Sequence, residues 1–83
     1  MKKVEIYKAD WCLYCRRALA LLDQKGVQYE AHDIDQAGVK DAMVERADRT
    51  SVPQIFIDTN HHVGGCDDLY ALENEGKLDS LLQ

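Results

Sequence analysis

Two cysteines stand three positions apart in Trp11-Cys12-Leu13-Tyr14-Cys15, and a third, Cys66, lies far along the chain. Cys-x-x-Cys spacing at a helix start places both thiols on one face of the first turn. Their Cα atoms then fall within the roughly 4.4–6.8 Å that a disulfide spans. Such a bridge closes a tiny loop and cannot staple a fold, and an odd number of cysteines in a short chain is a poor disulfide framework. Zinc ribbons and fingers need a second ligand pair at matching spacing. The remaining candidates, His61, His62 and Cys66, match no such pattern. The chemistry left to the pair is reversible thiol–disulfide exchange.

The two thiols are not equivalent. Cys12, at the helix N-terminus, faces unpaired backbone N–H groups and the positive end of the dipole, and both favour a thiolate. Cys15 lies a turn deeper, more buried and less ionised. The asymmetry assigns attack to Cys12 and resolution to Cys15. Arg16 and Arg17 follow in a turn where cations oppose the dipole, at a cost of a few tenths of a kcal/mol each. They either hold an anion, thiolate or substrate, or point to solvent. Trp11 either packs as a boundary aromatic or lines the rim of the reactive site. Tyr14, between the cysteines, faces solvent as a substrate contact or a bystander.

The elements that must position this pair follow from periodicity. Lys3 to Lys8 alternates as a strand. Residues 14–25 read as a helix, with Cys15, Ala18, Leu19 and Leu22 on one face and Gly26 as its left-handed cap. Val27 to Ile34 reads as a second strand, with Val27, Tyr29 and Ala31 on one face. Asp35 is placed to cap a second helix over residues 36–48, with an inner stripe of Val39, Ala42 and Met43 and with Gly38 weakening its start. Gln54 to Ile57 and His61 to Val63 read as a hairpin about Asp58-Thr59-Asn60, with His61 and His62 as surface residues of an edge strand. Gly64-Gly65 leads into a helix over residues 67–75, with Asp67 and Asp68 in its first turn where the dipole favours negative charge. Gly76 ends that helix, and Leu78, Leu81 and Leu82 suggest a last docked turn. The order βαβ, helix, hairpin, helix implies an α/β fold: a four-stranded mixed sheet with helices on both faces.

Length and charge bound the rest. Eighty-three residues make one domain, 1–83, and 46% hydrophobic residues allow it a core. No stretch approaches the roughly 18 apolar residues that span a membrane. Met1-Lys2-Lys3 runs straight into the first strand with no apolar signal segment, so a cytoplasmic location is expected. A formal charge of −5 argues against nucleic acid, whose phosphates need a positive footprint.

Several ordered segments resemble the glutaredoxin family, its short bacterial dithiol members in particular, and the resemblance covers nearly the whole chain. They are Val4-Glu5-Ile6-Tyr7, Cys12-Leu13-Tyr14-Cys15, Arg49-Thr50-Ser51-Val52-Pro53-Gln54-Ile55-Phe56-Ile57 and Gly64-Gly65-Cys66-Asp67-Asp68-Leu69. The resemblance implies a thioredoxin-like fold, a cis Pro53, and glutathione as co-substrate. It implies that the Val52 backbone pairs with the glutathione peptide. The Gly65-Cys66-Asp67 segment resembles the family's γ-glutamyl site, with helix N–H groups for the carboxylate and the Asp67 side chain for the ammonium. Lys8 and Arg49 match positions that hold the glycyl carboxylate, and Tyr14 matches an aromatic beside the sulfur. Cys66 reads as a small packing residue whose backbone matters more than its thiol.

Two residues depart from that pattern. Leu13 replaces the proline of the usual Cys-Pro-Tyr-Cys motif, which frees a φ angle and restores an N–H donor. Trp11 replaces a small or polar residue, as in thioredoxins. The implied function is a glutathione-dependent oxidoreductase acting on disulfide-containing and glutathionylated proteins, as a monomer with no resident metal or tightly bound cofactor. Local charge at Lys8, Arg16, Arg17 and Arg49 would draw anionic glutathione to an acidic protein. Two rivals remain: a carrier of a [2Fe–2S] cluster bridged between two protomers by cysteines and glutathiones, as in family members lacking the proline, and a thioredoxin-like protein disulfide reductase fed by a flavoenzyme.

Overall fold

The computed structural model describes residues 2–83. Its elements are β1 (Val4–Lys8), α1 (Leu13–Gln24), β2 (Tyr29–Asp33), α2 (Val39–Ala47), β3 (Gln54–Ile57), β4 (His61–Gly64), α3 (Cys66–Asn74) and α4 (Leu78–Leu82). The strands form one sheet in the order β2-β1-β3-β4. β1 runs parallel to β2 and antiparallel to β3, and β3 and β4 form the expected hairpin. This is the mixed four-stranded sheet the sequence predicts.

Period-two alternation sorts the central strands between two cores. Val4 and Ile6 of β1 and Ile55 and Ile57 of β3 pack with Ala18, Leu21 and Leu22 of α1, Leu69 of α3, and Leu78 and Leu82 of α4. Tyr7 and Phe56 point the other way and meet Met43 and Ala47 of α2. Both faces of β1 and β3 are therefore covered, which holds the β1–α1 junction between two packed layers. Among the described residues no helix is long and apolar enough to cross a membrane.

Four local expectations are corrected. Asp35 does not cap α2. That helix starts at Val39 behind Gly38, whose φ of +82° suits a glycine and which offers no side-chain cap. Asp35 instead accepts a hydrogen bond from Trp11 Nε1 at 3.0 Å. The buried stripe of α2 is Met43 and Ala47, an i, i+4 pair, and Ala42 is exposed. Ala31 is also exposed, because β2 is an edge strand with a neighbour on one side only. His62 is half-buried rather than a surface residue. Its ring stacks on Phe56 with centroids 4.6 Å apart, since the register sets the two residues opposite each other. Against the expected ranges α1 and α3 each begin one residue early, and α2 begins three residues late.

An ion pair sits inside the α2 layer. Glu5, buried on β1, accepts a 2.7 Å hydrogen bond from Arg46 Nη2, and the guanidinium lies 3.9 Å from the Phe56 ring centroid. The Arg46 hydrogen bond holds the Glu5 carboxyl below its usual range, against the opposing effect of burial. A carboxyl lowered on folding stabilises the fold above its unfolded pKa, and that contribution is lost as pH falls through the folded value. Arg46→Leu is therefore expected to cost about 2 kcal/mol at neutral pH. The gap in melting temperature from the parent protein should close as pH drops below about 4. Thermal denaturation of both proteins across pH checks this, and a gap independent of pH would refute the assignment.

Candidate active site

The loop after β1 turns the chain so that Cys12 lands at the N-cap of α1. Cys12 N–H donates to the Ala9 carbonyl at 3.2 Å, and Cys12 is extended, with φ −92° and ψ 114°. In that conformation the Cys12 sulfur takes the place of a capping oxygen and accepts the Cys15 N–H at 3.1 Å. One orphan donor of the helix start is thus aimed at the sulfur that the sequence assigns to attack. The Cys12 Sγ also lies 3.7 Å from the Val52 carbonyl oxygen. All three cysteines are free thiols.

Cys15 is deeper, at 1% exposure against 6% for Cys12. Both are buried, so the asymmetry lies less in area than in surroundings. Burial, reinforced by the hydrogen bond to Cys12, pushes the Cys15 thiol up to about 12. Cys15 is held as a neutral thiol at physiological pH, whereas Cys12 sits at the mouth of the helix dipole.

A groove of about 240 Å³ opens beside this pair. Tyr14 of α1 forms one side, and the loop before β3 supplies Arg49, Ser51, Val52 and Pro53. The start of α3 supplies Gly65, Cys66, Asp67 and Asp68. The Val52–Pro53 peptide bond is cis. Of the predicted binding residues only Lys8 stands apart: its ammonium is engaged by Asp10 at 2.7 Å and Asp33 at 3.7 Å. A wider hollow, about 600 Å³, lies between Lys2 to Val4 and Gly26 to Glu30, but no cysteine lines it.

The groove walls are pinned from behind. Asp68 accepts the Gly65 N–H at 2.9 Å and meets Arg49 Nη1 at 3.4 Å, so it ties the start of α3 to the loop before β3. Gln54, fully buried, donates to the Ser51 carbonyl at 3.0 Å, and its Oε1 lies 2.7 Å from His62 Nε2. Ser51, Gln54, His62 and Asp68 were not singled out as site residues from sequence. Asp68 was findable, because an acid three residues after a helix N-cap is a capping signal. His62 was not, since its role depends on the β3–β4 register.

Of the remaining residues, Arg16 Nη2 donates to the Asp10 carbonyl at 3.0 Å, and the Arg17 guanidinium lies 6.0 Å from the Tyr70 ring centroid. Burial raises the Cys66 thiol, with Arg17 opposing. Leu13, at the position of the family's proline, is the first residue of α1 and is exposed.

The glutaredoxin family model matches residues 4–62, which include Cys12, Cys15, the cis proline and the first three strands. The chain belongs to the glutaredoxin family. It is 54% identical to glutaredoxin 3 of Escherichia coli K12 over 84 aligned residues, covering 100% of each chain. Among solved structures it resembles the glutaredoxin of Brucella melitensis, at 53% identity and TM-score 0.84 over 99% of this chain and 89% of that one. A buckwheat glutaredoxin–glutathione complex superposes with TM-score 0.87 at 29% identity, covering 98% of this chain and 76% of that one. The fold is thioredoxin-like, and as a glutaredoxin of the short bacterial type the protein is a thiol–disulfide oxidoreductase.

Proposed function

We propose that this glutaredoxin reduces glutathione mixed disulfides and protein disulfides at the expense of glutathione, with Cys12 as nucleophile and Cys15 as resolving thiol. The observation that carries the reading is the groove: it gathers Tyr14, Arg49, Val52, Pro53 and Gly65 to Asp67 beside a Cys12 sulfur that accepts a helix-start N–H. Arg49 suits a carboxylate, the Val52 backbone before the cis proline suits a peptide, and exposed Asp67 suits an ammonium. That set matches the two ends and the backbone of γ-glutamyl-cysteinyl-glycine. The buckwheat relative was solved with glutathione.

In the monothiol route the Cys12 thiolate attacks the glutathione sulfur of a mixed disulfide. A Cys12–glutathione disulfide forms, and the other thiolate leaves and takes a proton. A second glutathione thiolate then attacks the bound glutathione sulfur, which releases glutathione disulfide and restores Cys12. In the dithiol route Cys12 first forms a mixed disulfide with the protein substrate. Cys15, once deprotonated, closes the Cys12–Cys15 bridge and expels the second substrate thiol. Two glutathiones reopen the bridge. The expected setting is cytoplasmic, with the protein acting as a monomer.

Turnover of a cysteine–glutathione mixed disulfide, with glutathione and glutathione reductase regenerating the reductant, tests the reading directly. No glutathione-dependent turnover would end it. Within that assay Asp67→Ala should raise KM for glutathione about tenfold, the scale of one charge-assisted hydrogen bond at an exposed site. Its melting temperature should stay within about 3 °C of the parent, because Asp68 rather than Asp67 closes the helix start. A lowered melting temperature with unchanged glutathione kinetics would make Asp67 a structural residue only.

A further inference from the structure

The large apolar side chains left most exposed among the described residues all flank the nucleophile: Trp11 at 67%, Leu13 at 65% and Tyr14 at 55%. Tyr14 belongs to the groove, whereas Trp11 and Leu13 do not line it. Single exposed apolar residues are ordinary, but these two bracket Cys12, and Trp11 is tethered. Its indole N–H donates to Asp35 at 3.0 Å, which ties the ring to the loop between β2 and α2. Asp35 is itself fixed, its backbone N–H donating to Asp33 Oδ1 at 2.9 Å. An exposed indole already held in place loses little freedom on contact, a property of interface hot spots.

The charge beside the indole is unbalanced. Lys8 pairs with Asp10 and Asp33, and Arg16 reaches the carbonyl of Asp10. Asp35 takes part in no ion pair among the described residues; its contacts are the indole and its own turn. A ligand cation would complete it.

We propose that Trp11, Leu13 and Asp35 form a docking surface for protein substrates. The occupant is an extended segment beside the substrate cysteine, with an apolar side chain against Trp11 and Leu13 and a Lys or Arg against Asp35. Trp11 and Leu13 are the chain neighbours of Cys12 on either side, and neither they nor Asp35 line the groove. When glutathione fills the groove, a protein chain disulfide-bonded to it has this surface to lie on. The proposal rests on Cys12 being the attacking thiol, and it names the substrate class that thiol prefers.

Two glutathionylated peptides of equal length test it, one with Leu and Lys flanking its cysteine and one with Ser and Glu in the same places. The parent protein should show a kcat/KM about tenfold higher for the Leu/Lys peptide. Trp11→Ser should bring the two within about twofold, and Asp35→Asn should remove about threefold of the preference. Both variants should turn over the cysteine–glutathione disulfide within about twofold of the parent. No preference in the parent, or an equal loss on the small disulfide in Trp11→Ser, would overturn the proposal. The latter would mean that Trp11 acts on the Cys12 thiol.

Trp11 is the sole tryptophan, so binding has a readout that needs no glutathione. A Leu/Lys peptide with serine in place of cysteine should shift Trp11 emission saturably, and more weakly in Asp35→Asn. An unchanged spectrum would overturn the docking surface. A saturable shift in a protein that turns over no mixed disulfide would support docking and reject the glutathione reading.

Discussion

Cys12→Ser is expected to lower reduction of glutathione mixed disulfides by about a thousandfold or more, the scale of losing a nucleophile outright. Cys15→Ser is expected to retain that activity and lose reduction of protein disulfides. The asymmetry follows from where the fold puts each sulfur. Cys12 accepts the Cys15 N–H at 3.1 Å at the N-cap of α1, a place where negative charge is stabilised. Cys15 lies at 1% exposure, and burial holds its thiol near 12. An attacking thiol must be ionised before the substrate arrives; a resolving thiol needs to ionise only once a mixed disulfide has formed beside it. Serine at position 15 keeps the backbone N–H that faces Cys12, so the nucleophile stays intact. Steady-state assays with a small mixed disulfide and with a disulfide-bonded protein separate the two routes. An active Cys12→Ser protein, or a Cys15→Ser protein dead on the mixed disulfide, would reverse the roles.

The same burial predicts a pH signature in the dithiol route. Closure of the Cys12–Cys15 bridge requires Cys15 thiolate, and burial, the largest cause of its raised pKa, persists in the mixed disulfide and leaves little thiolate at pH 7. The rate of closure from a trapped Cys12 mixed disulfide should therefore rise about tenfold per pH unit between about pH 7 and 9. Stopped-flow detection of the released substrate thiol measures it. A flat profile would show that formation of the mixed disulfide lowers the Cys15 pKa to neutrality.

Much of this site was legible in the sequence because its parts are local. Cys-x-x-Cys before an apolar stripe places a cysteine at a helix start, and the alternation in Val4 to Tyr7 and Gln54 to Phe56 marks the strands behind it. Of the binding residues named from the family pattern of short segments, all but Lys8 lie together in the groove. The misreadings arose where a residue had a choice of distant partners. Asp35 had the spacing of a helix cap, but Trp11, 24 residues away, took its carboxylate. The surroundings of Lys8 also turn on a distant partner: Asp33, brought alongside by the parallel β1–β2 register, shares its ammonium with Asp10. Such pairings depend on register and packing, which composition and periodicity do not encode.

Gly64→Ala should be among the most damaging single methyl additions to this chain. Gly64 ends β4 with φ +115°, a conformation that an L side chain adopts under strain of about 1–3 kcal/mol. An added Cβ would also collide with the Asp68 carboxylate and press on Arg49 Nη1 at 3.2 Å. That carboxylate accepts the Gly65 N–H and meets Arg49, so displacing it removes a helix-start contact of about 1 kcal/mol. Together these give a loss of about 2–4 kcal/mol, or about 10–25 °C in melting temperature for a domain of this size. The damage reaches function as well, because Arg49 and Asp68 both line the groove, and KM for glutathione should rise at temperatures where the protein is still folded. Gly65→Ala is the control. Gly65 has φ −95°, and its added Cβ would meet the Pro53 carbonyl oxygen at 3.5 Å, an ordinary contact, so its stability should change by less than about 1 kcal/mol. An Asp68→Ala background separates the two causes. With the carboxylate already gone, Gly64→Ala should cost only its backbone strain, so the double variant should be more stable than the sum of the single losses predicts. Strict additivity would show that the collision with Asp68 contributes nothing and that φ strain alone makes glycine necessary at position 64.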